Sequence, residues 1–505
     1  MPDYMYLLES RLSPEQRAVM ERVQELARAQ EMNIYLTGGA VRDLISGMPI
    51  RDLDFTLEGN PAKIVRELEK GGAKVLWESE KLRHYEMIFA GDVDGSISGA
   101  REDYYERPGL KPEYRFTSVM EDLRRRDFGI NSIAISLNLQ SRGLLLDPMN
   151  GLADLEKQEI RALSIHAFTN QPVRLMRTLR YGARMGFKMD SRTQEWFELA
   201  MERKLNENIG AAEVGHELRA LGREDNPVWT LKKWEEYEML ELIHPSLQKR
   251  KPDYDSLNKL AKVRGNLLMA GLRPRLHAAV IFYTLGKLKD REVTSVLKNL
   301  EFRAPEIAEI TDLVSKAQQE VKVLKSRKTG TPKEAHAYIA SMPAEMIAFI
   351  EVELPNPAVL GKFRNYLQKW RPIYLSLPTA ELESLGVPRG PKFDKVIEQF
   401  FEAALRGKGK TPEDRTKLLK NLAGIKDEPK KPEKDKKKKA ADKDKAAAAM
   451  TEAAAAKAKS AGKTVAAPNA TAAKAAPAPE APAKAAKPGN DGAKKKSAPA
   501  KKGKK

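Results

Sequence analysis

Two hydrophobic periodicities divide the chain. Over the first ~165 residues, short apolar runs of strand length alternate with helical stretches; from about Gln171 to Ala423, apolar positions recur every three to four residues, as helices require. Ser13-Pro14-Glu15-Gln16 combines an N-cap, a first-turn proline and an early acidic residue, so a helix is predicted from there through Leu26. Ile34-Tyr35-Leu36 reads as a strand that stops at Gly38-Gly39, with a helix resuming from Ala40 to Ile45. Further strands are predicted over Asp52 to Thr56, Lys74 to Trp77, Tyr85 to Ala90, Ser132 to Leu137 and Leu144 to Leu146, enough for one small sheet. Later helices are predicted over Arg174 to Met185, Arg192 to Met201, Leu276 to Leu285 and Asp394 to Leu405, set apart by Pro and Gly. No internal repeat is visible.

The length of 505 residues allows two to four domains at roughly 100–200 residues each. The absence of cysteine excludes a disulfide framework, a thiolate nucleophile and any metal site built on Cys. The six histidines, His84, His166, His216, His244, His277 and His336, show no ligand spacing and receive no role. The N-terminus lacks a secretory pattern and no run of some 18 apolar residues occurs, so a cytoplasmic protein without membrane contact is expected. The net charge of +19 points to a polyanionic partner, but its position matters. Beyond Lys426 there are 22 lysines against 9 acidic residues, which leaves only +6 for the rest. That segment is almost entirely Lys, Ala, Pro, Asp, Glu and Gly and cannot offset its ordering entropy, so residues 427–505 are expected to form a disordered basic tail. It would either neutralise RNA phosphates without reading sequence or simply solubilise the chain.

The candidate chemistry begins at Gly38-Gly39. Between a strand and a helix, a glycine pair lets the backbone approach a phosphate, although a tight connection alone would need the same residues. Arg42 adds a cation one helical turn on. In a strand, the period of two puts Asp52 and Asp54 on one face, where they could share hard divalent cations in a two-metal phosphoryl-transfer site with ions ~3.5–4 Å apart. The plain alternative is an exposed strand edge bearing two charges. Arg174, Arg177 and Arg180 fall along one side of a helix, which could equally be a solvated or salt-bridged face.

Gly38-Gly39-Ala40-Val41-Arg42-Asp43 followed by Arg51-Asp52-Leu53-Asp54-Phe55 resembles the first motif of class II nucleotidyltransferases, the family of tRNA CCA-adding enzymes and poly(A) polymerases. Arg125-Arg126-Asp127-Phe128 with Asn131 resembles the family's second motif, and Asp147, Gly151, Asp154 and Leu155 its third. Pro172-Val173-Arg174-Leu175-Met176-Arg177-Thr178-Leu179-Arg180 resembles its base-reading arginine helix. The resemblance spans about residues 30–220 with the motifs in order. Leu57-Glu58-Gly59 and Ala100-Arg101-Glu102-Asp103-Tyr104-Tyr105 through Pro108-Gly109 are most similar to the subgroup that includes dedicated A-adding tRNA enzymes.

The resemblance implies an α+β chain in four parts: a nucleotidyltransferase head with a small mixed sheet (1–165), a helical neck for base recognition (166–225), an all-helical body and tail for RNA (226–426), and the basic tail (427–505). It implies that Asp52 and Asp54 are catalytic and hold Mg²⁺, that Gly39 and Arg42 contact the triphosphate, and that Arg126 and Asn131 contact the sugar or phosphates. Gly38, Asp127, Gln171, Arg174, Arg177 and Arg180 complete the implied nucleotide-binding set. The implied reaction adds AMP to the 3′ end of a tRNA with release of pyrophosphate; ATP is the implied nucleotide, and whether CTP is also used stays open.

The family pattern is broken in four places. Asn170-Gln171 stand where an acidic pair is usual, Ser96 where an acidic residue precedes Arg101, Ala212-Glu213 where a Glu-Arg pair braces the arginine helix, and Gly129 where Thr is usual. Gln171 can still accept a hydrogen bond from the amine of A or C while Arg174 donates to the ring nitrogen, but on a longer, neutral and more mobile side chain. Asp94 could face the Asp52–Asp54 pair if its segment is a strand. Glu217 remains as a possible brace. Two other readings stand beside the first: a poly(A) polymerase on general RNA 3′ ends, and an RNA-binding protein that has lost turnover.

Overall fold

The computed structural model describes residues 3–425, so the expected basic tail lies outside the described residues. The chain opens with α1 (Tyr4–Arg11) and α2 (Pro14–Ala29). The start of α2 is fixed as the sequence predicts: Ser13 Oγ accepts from the Gln16 N–H and the Gln16 side chain accepts from the Ser13 N–H. Its apolar face, with Val19, Met20, Val23 and Ala27, joins the head core.

The head is built on a seven-stranded mixed sheet. In chain order its strands are β1 (Ile34–Thr37), β2 (Leu53–Leu57), β3 (Lys74–Ser79), β4 (His84–Phe89) and β5 (Val93–Gly99), with β8 (Ala134–Ser136) and β9 (Leu145–Leu146) later in the chain. Between them β6 (Arg101–Tyr104) and β7 (Glu113–Phe116) form a separate antiparallel pair. The spatial order is β3-β4-β5-β2-β1-β8-β9. Within this sheet only the β2–β5 pairing is parallel. The α3 helix (Gly39–Ile45) links β1 to β2, and α4 (Ala62–Lys70) follows β2, burying Ile64, Val65 and Leu68.

Strands β5, β6 and β7 escape the sequence pattern. The β5 segment, Val93-Asp-Gly-Ser-Ile-Ser-Gly, has weak strand propensity and apolar residues only at Val93 and Ile97. Its place beside β2 instead requires glycine: a side chain at Gly95 would collide with the Leu53 carbonyl oxygen. The predicted Asp52–Thr56 strand is displaced by one residue, so Asp52 precedes β2. The predicted Ser132–Leu137 strand shortens to β8 because residues 129–131 form a 3₁₀ turn closed by Ser132.

After the sheet come α5 (Val119–Arg124), α6 (Gly151–Lys157), α7 (Ala167–Asn170), α8 (Arg174–Met185), α9 (Ser191–Glu202) and α10 (Ala211–Gly222). One exception interrupts the all-helical reading beyond Gln171: Lys188–Met189 pairs in parallel with Glu159–Ile160. The helices that follow, from Pro227–Glu236 through Pro357–Asn365, pack around a second core that also takes in Leu175, Met176 and Leu179 of α8. Trp234 is wholly buried there and donates its indole N–H to the Met176 carbonyl at 3.1 Å. The last helices close over a small cluster around Leu382, Phe393, Phe400 and Leu419. Among the described residues no helix is long and apolar enough to cross a membrane.

Candidate functional site

The two aspartates and the arginine helix, some 120 residues apart in sequence, face one cavity of about 410 Å³ between the sheet, α8 and α10. All twelve residues singled out from the sequence line it: Gly38, Gly39, Arg42, Asp52, Asp54, Arg126, Asp127, Asn131, Gln171, Arg174, Arg177 and Arg180.

On the acidic wall, β1 is followed by Gly38, whose positive φ of 66° favours glycine. A Cβ there would also stand only 2.9 Å from Arg126 Nη1. Asp54 lies opposite Ser96 in the β2–β5 register, and Ser96 Oγ donates to Asp54 Oδ1 at 2.7 Å. The segment containing Asp94 is indeed a strand, and Asp94 lines the same cavity, where Arg275 Nη2 approaches it at 3.3 Å. Burial, and then the charge of Asp52, push the Asp54 carboxyl up to about 6, against the opposing effects of Ser96 and Arg126. A pair of crowded carboxylates facing open space is a donor set suited to a hard divalent cation that keeps water or phosphate as its other ligands. Among the described residues no cluster of three or more acidic or histidine side chains converges as a metal cage.

The cationic wall is mostly spoken for by the protein itself. Arg42 is buried, donating to Asp43 (2.9 Å) and to Asn131 Oδ1 (2.7 Å). Asn131 Nδ2 donates to Asp127 (3.0 Å), Asp127 pairs with Arg177 (3.1 Å), and Arg177 pairs with Glu217 (2.9 Å). Glu217 in turn holds Arg180 (2.9 Å), Arg180 holds Glu224 (3.0 Å), Glu224 meets Arg184 (3.7 Å), and Arg184 returns to Asp43 (2.6 Å). Four arginines and four carboxylates thus close a neutral circuit, through Asn131, from the head across α8 to α10 and back. Burial opposes ionisation of Glu217, but Arg180 and Arg177 outweigh it and hold its pKa at about 2. Arg42, Arg177 and Arg180, read from sequence as nucleotide contacts, are therefore held in place by carboxylates, with part of their donor capacity already used.

Arg174 differs. Among the described residues it has no carboxylate within ion-pair distance; its Nε donates to Gln171 Oε1 at 3.1 Å and its Nη2 to the Arg125 carbonyl at 3.2 Å. With a neutral Gln171 beside it, Arg174 has no carboxylate in direct contact, and Asp127 acts on it only from beyond ion-pair distance. Arg126 is placed by Asp122 (2.9 Å), the Thr56 hydroxyl (3.2 Å) and the Asn131 carbonyl (3.3 Å).

The departures from the family pattern find specific settings. Ala212 is exposed and Glu213 accepts from the Gly210 N–H at the start of α10, so the expected brace is not at these positions; Glu217 and Glu224 supply it. A side chain at Gly129 would collide with the Asp154 carboxylate. Residues that the sequence reading passed over include Asp122, which anchors both Arg125 and Arg126 and is held at about 2 by them against the cost of burial. Its spacing, three and four residues before the arginines across the end of α5, was the available signal. Glu224, His84 and His216 also line the cavity, and nothing local in the sequence marks them.

Residues 34–161 match the model of the poly(A) polymerase head domain. An A-adding tRNA nucleotidyltransferase of Geobacter sulfurreducens is 23% identical over 428 residues, 83% of this chain and 48% of its own length. Proteins of the same name from Aquifex aeolicus (34% identical, 46% of this chain, 28% of theirs) and Halalkalibacterium halodurans (32%, 46% and 54%) are similar over a shorter stretch. The chain thus spans about half or less of the length of these curated relatives. A solved apo CCA-adding enzyme aligns over 84% of this chain at 24% identity with a TM-score of 0.43, too loose a likeness to bear on the fold. Over residues 34–161, which take in Asp52 and Asp54, the chain is similar to the poly(A) polymerase head family, and beyond them it is similar to A-adding tRNA nucleotidyltransferases.

Proposed function

We propose that this protein adds AMP to the 3′ end of tRNA without a template, releasing pyrophosphate. The observation that carries the reading is the single cavity in which Asp52 and Asp54 face Arg126 and Arg174. The names of the relatives favour tRNA as acceptor and A as the nucleotide.

In this reading the terminal 3′-hydroxyl oxygen of the RNA attacks the α-phosphorus of ATP. The bond from that phosphorus to the bridging oxygen breaks, pyrophosphate leaves with the electron pair, and the hydroxyl proton passes to solvent. Asp52 and Asp54 would hold divalent cations, Mg²⁺ in our reading, which when bound lower the pKa of the attacking hydroxyl and neutralise charge on the leaving pyrophosphate. Arg126, braced by Asp122, contributes positive charge toward the phosphates. Gly38 and Gly39 keep the wall free of side chains so that the triphosphate can approach the backbone. Gln171 and Arg174 face the base, Gln171 accepting from the exocyclic amine and Arg174 donating to the adjacent ring nitrogen. The neutral circuit from Arg42 to Arg184 fixes α8, and with it Arg174, relative to the aspartates. In the four-part organisation we propose, residues 1–165 carry transfer, 166–225 base reading and 226–426 the RNA.

The test is incubation with Mg²⁺ and each labelled nucleoside triphosphate on tRNA lacking CCA, tRNA ending in CC, and an unstructured RNA. A single A on tRNA ending in CC, lost in the Asp52→Ala, Asp54→Ala variant, is the expected result. A long A ladder on unstructured RNA would replace it with polyadenylation; RNA binding without incorporation would leave a binding protein.

A further inference from the structure

The segment from Tyr105 to Gly109 is tied to the residues just before α8 by two amide side chains. Asn170 Oδ1 accepts from the Gly109 N–H at 2.9 Å, and Gln171 Nε2 donates to the Tyr105 hydroxyl at 3.0 Å. Gln171 Oε1 accepts from Arg174 Nε at 3.1 Å. Both residues that depart from an acidic pair are therefore engaged with the same segment.

A carboxylate at position 171 would present acceptor oxygens whichever way it turned. An amide has one acceptor end and one donor end, and half a turn about its last bond exchanges them. The exocyclic amines of A and C require the acceptor; the carbonyl oxygens at the equivalent places on G and U would take the donor. Arg174 disfavours the reversed amide, because two donors would then meet, but Arg174 must also serve the base. Gln has one more rotatable bond than Asp, so its carbonyl needs a second anchor to stay in place. Tyr105 is partly buried, and burial raises its pKa, so it remains a neutral hydroxyl able to accept the amide N–H.

We infer that Tyr105 is a specificity-positioning residue: by accepting the Gln171 N–H it keeps the Gln171 carbonyl oxygen directed toward Arg174 and the incoming base. The inference rests on the transfer reaction proposed above. It makes the 105–109 segment part of nucleotide choice even though Tyr105 acts through Gln171.

The test compares kcat/KM for ATP, CTP, GTP and UTP in the wild type, Tyr105→Phe, Gln171→Asp and the double variant, with thermal melts of each. Loss of one neutral hydrogen bond should lower the preference of Tyr105→Phe for ATP over GTP and UTP by about five- to tenfold. In the Gln171→Asp background the same change should move that ratio by less than about twofold, because a carboxylate has no donor end to misplace. Gln171→Glu, which keeps the length and removes the donor, should discriminate at least as well as the wild type, and this arm stands even if Tyr105→Phe does not fold. An unchanged ratio in Tyr105→Phe, an equal fall in both backgrounds, or poorer discrimination by Gln171→Glu would overturn the inference. A wild type that incorporates no nucleotide would remove the proposed function and the inference with it, and is told apart because the unaltered protein itself fails.

Discussion

Asp52 and Asp54 stood out in the sequence because their spacing of two follows the Gly38-Gly39 turn within a short stretch of chain. Glu217 could not be weighed in that way. It is fully buried and is the joint between Arg177 and Arg180, so Glu217→Ala would leave Arg177 with Asp127 alone and Arg180 with Glu224 alone and open a buried gap between them. Removing one partner of a buried pair costs about 3–5 kcal/mol, and urea unfolding of Glu217→Ala should show a loss of that size; one below about 1 kcal/mol would mean the circuit contributes little. The same ion pairs set a pH dependence. Glu217 and Asp122 fall from ordinary values of 4.5 and 3.8 to about 2 in the folded chain. Depressed carboxyls contribute stability that is complete above their unfolded values and is lost as pH falls toward 2. The fall in stability between about pH 5 and 2 should therefore be shallower in Glu217→Gln than in the wild type, and parallel curves would assign the acid loss to other groups.

Among elements, the helices were the more legible. The α2 and α8 patterns carry their own periodicity, and α2 its own capping residues, so their existence followed from the chain as written. Strand β5 did not, because its fitness for the sheet lies in what Gly95 lacks. Gly95→Ala should press on the Leu53 carbonyl, part β5 from β2 and carry Ser96 away from Asp54. Overpacking of this kind costs about 1–3 kcal/mol, and here the neighbour is backbone and cannot swing aside. The expected outcome is a lower melting temperature together with reduced nucleotide incorporation; an unchanged melt would show that the β2–β5 pairing has slack. Gly215 plays the corresponding part in α10, where a side chain would meet the Leu300 carbonyl and displace the helix that presents Glu217.

For the molecule as a whole, the head is joined to the helical body by charged groups as well as by the chain. Arg275 reaches Asp92 (2.9 Å) and Asp94, and Arg303 donates to the Leu76 carbonyl. The charge beyond Lys426 belongs to this scale too, since 22 lysines outweigh 9 acidic residues there while the remainder is only mildly basic. If those lysines neutralise RNA phosphates, removal of residues 427–505 should weaken RNA binding at low salt and flatten the dependence of log affinity on log salt by roughly 0.7–0.9 for each phosphate left without its lysine. Equal slopes for the full and shortened chains, measured by filter binding across a salt series, would assign the segment to solubility instead.

The sequence by itself determined the order of a mixed head and a helical remainder, the glycine turn, the aspartate pair and the arginine helix, because each depends on residues within a few positions of one another. Tertiary structure alone decided which charges are free. Arg174, Arg177 and Arg180 are alike on a helical wheel, yet two are balanced by Glu217 and Glu224 from beyond the helix while Arg174 meets only neutral partners. The same holds for Gln171: its type is written in the chain, but the direction of its amide is set by Tyr105, 66 positions earlier. Hydrogen bonds and ion pairs act over a few ångströms of space, and only folding brings such distant residues within that range.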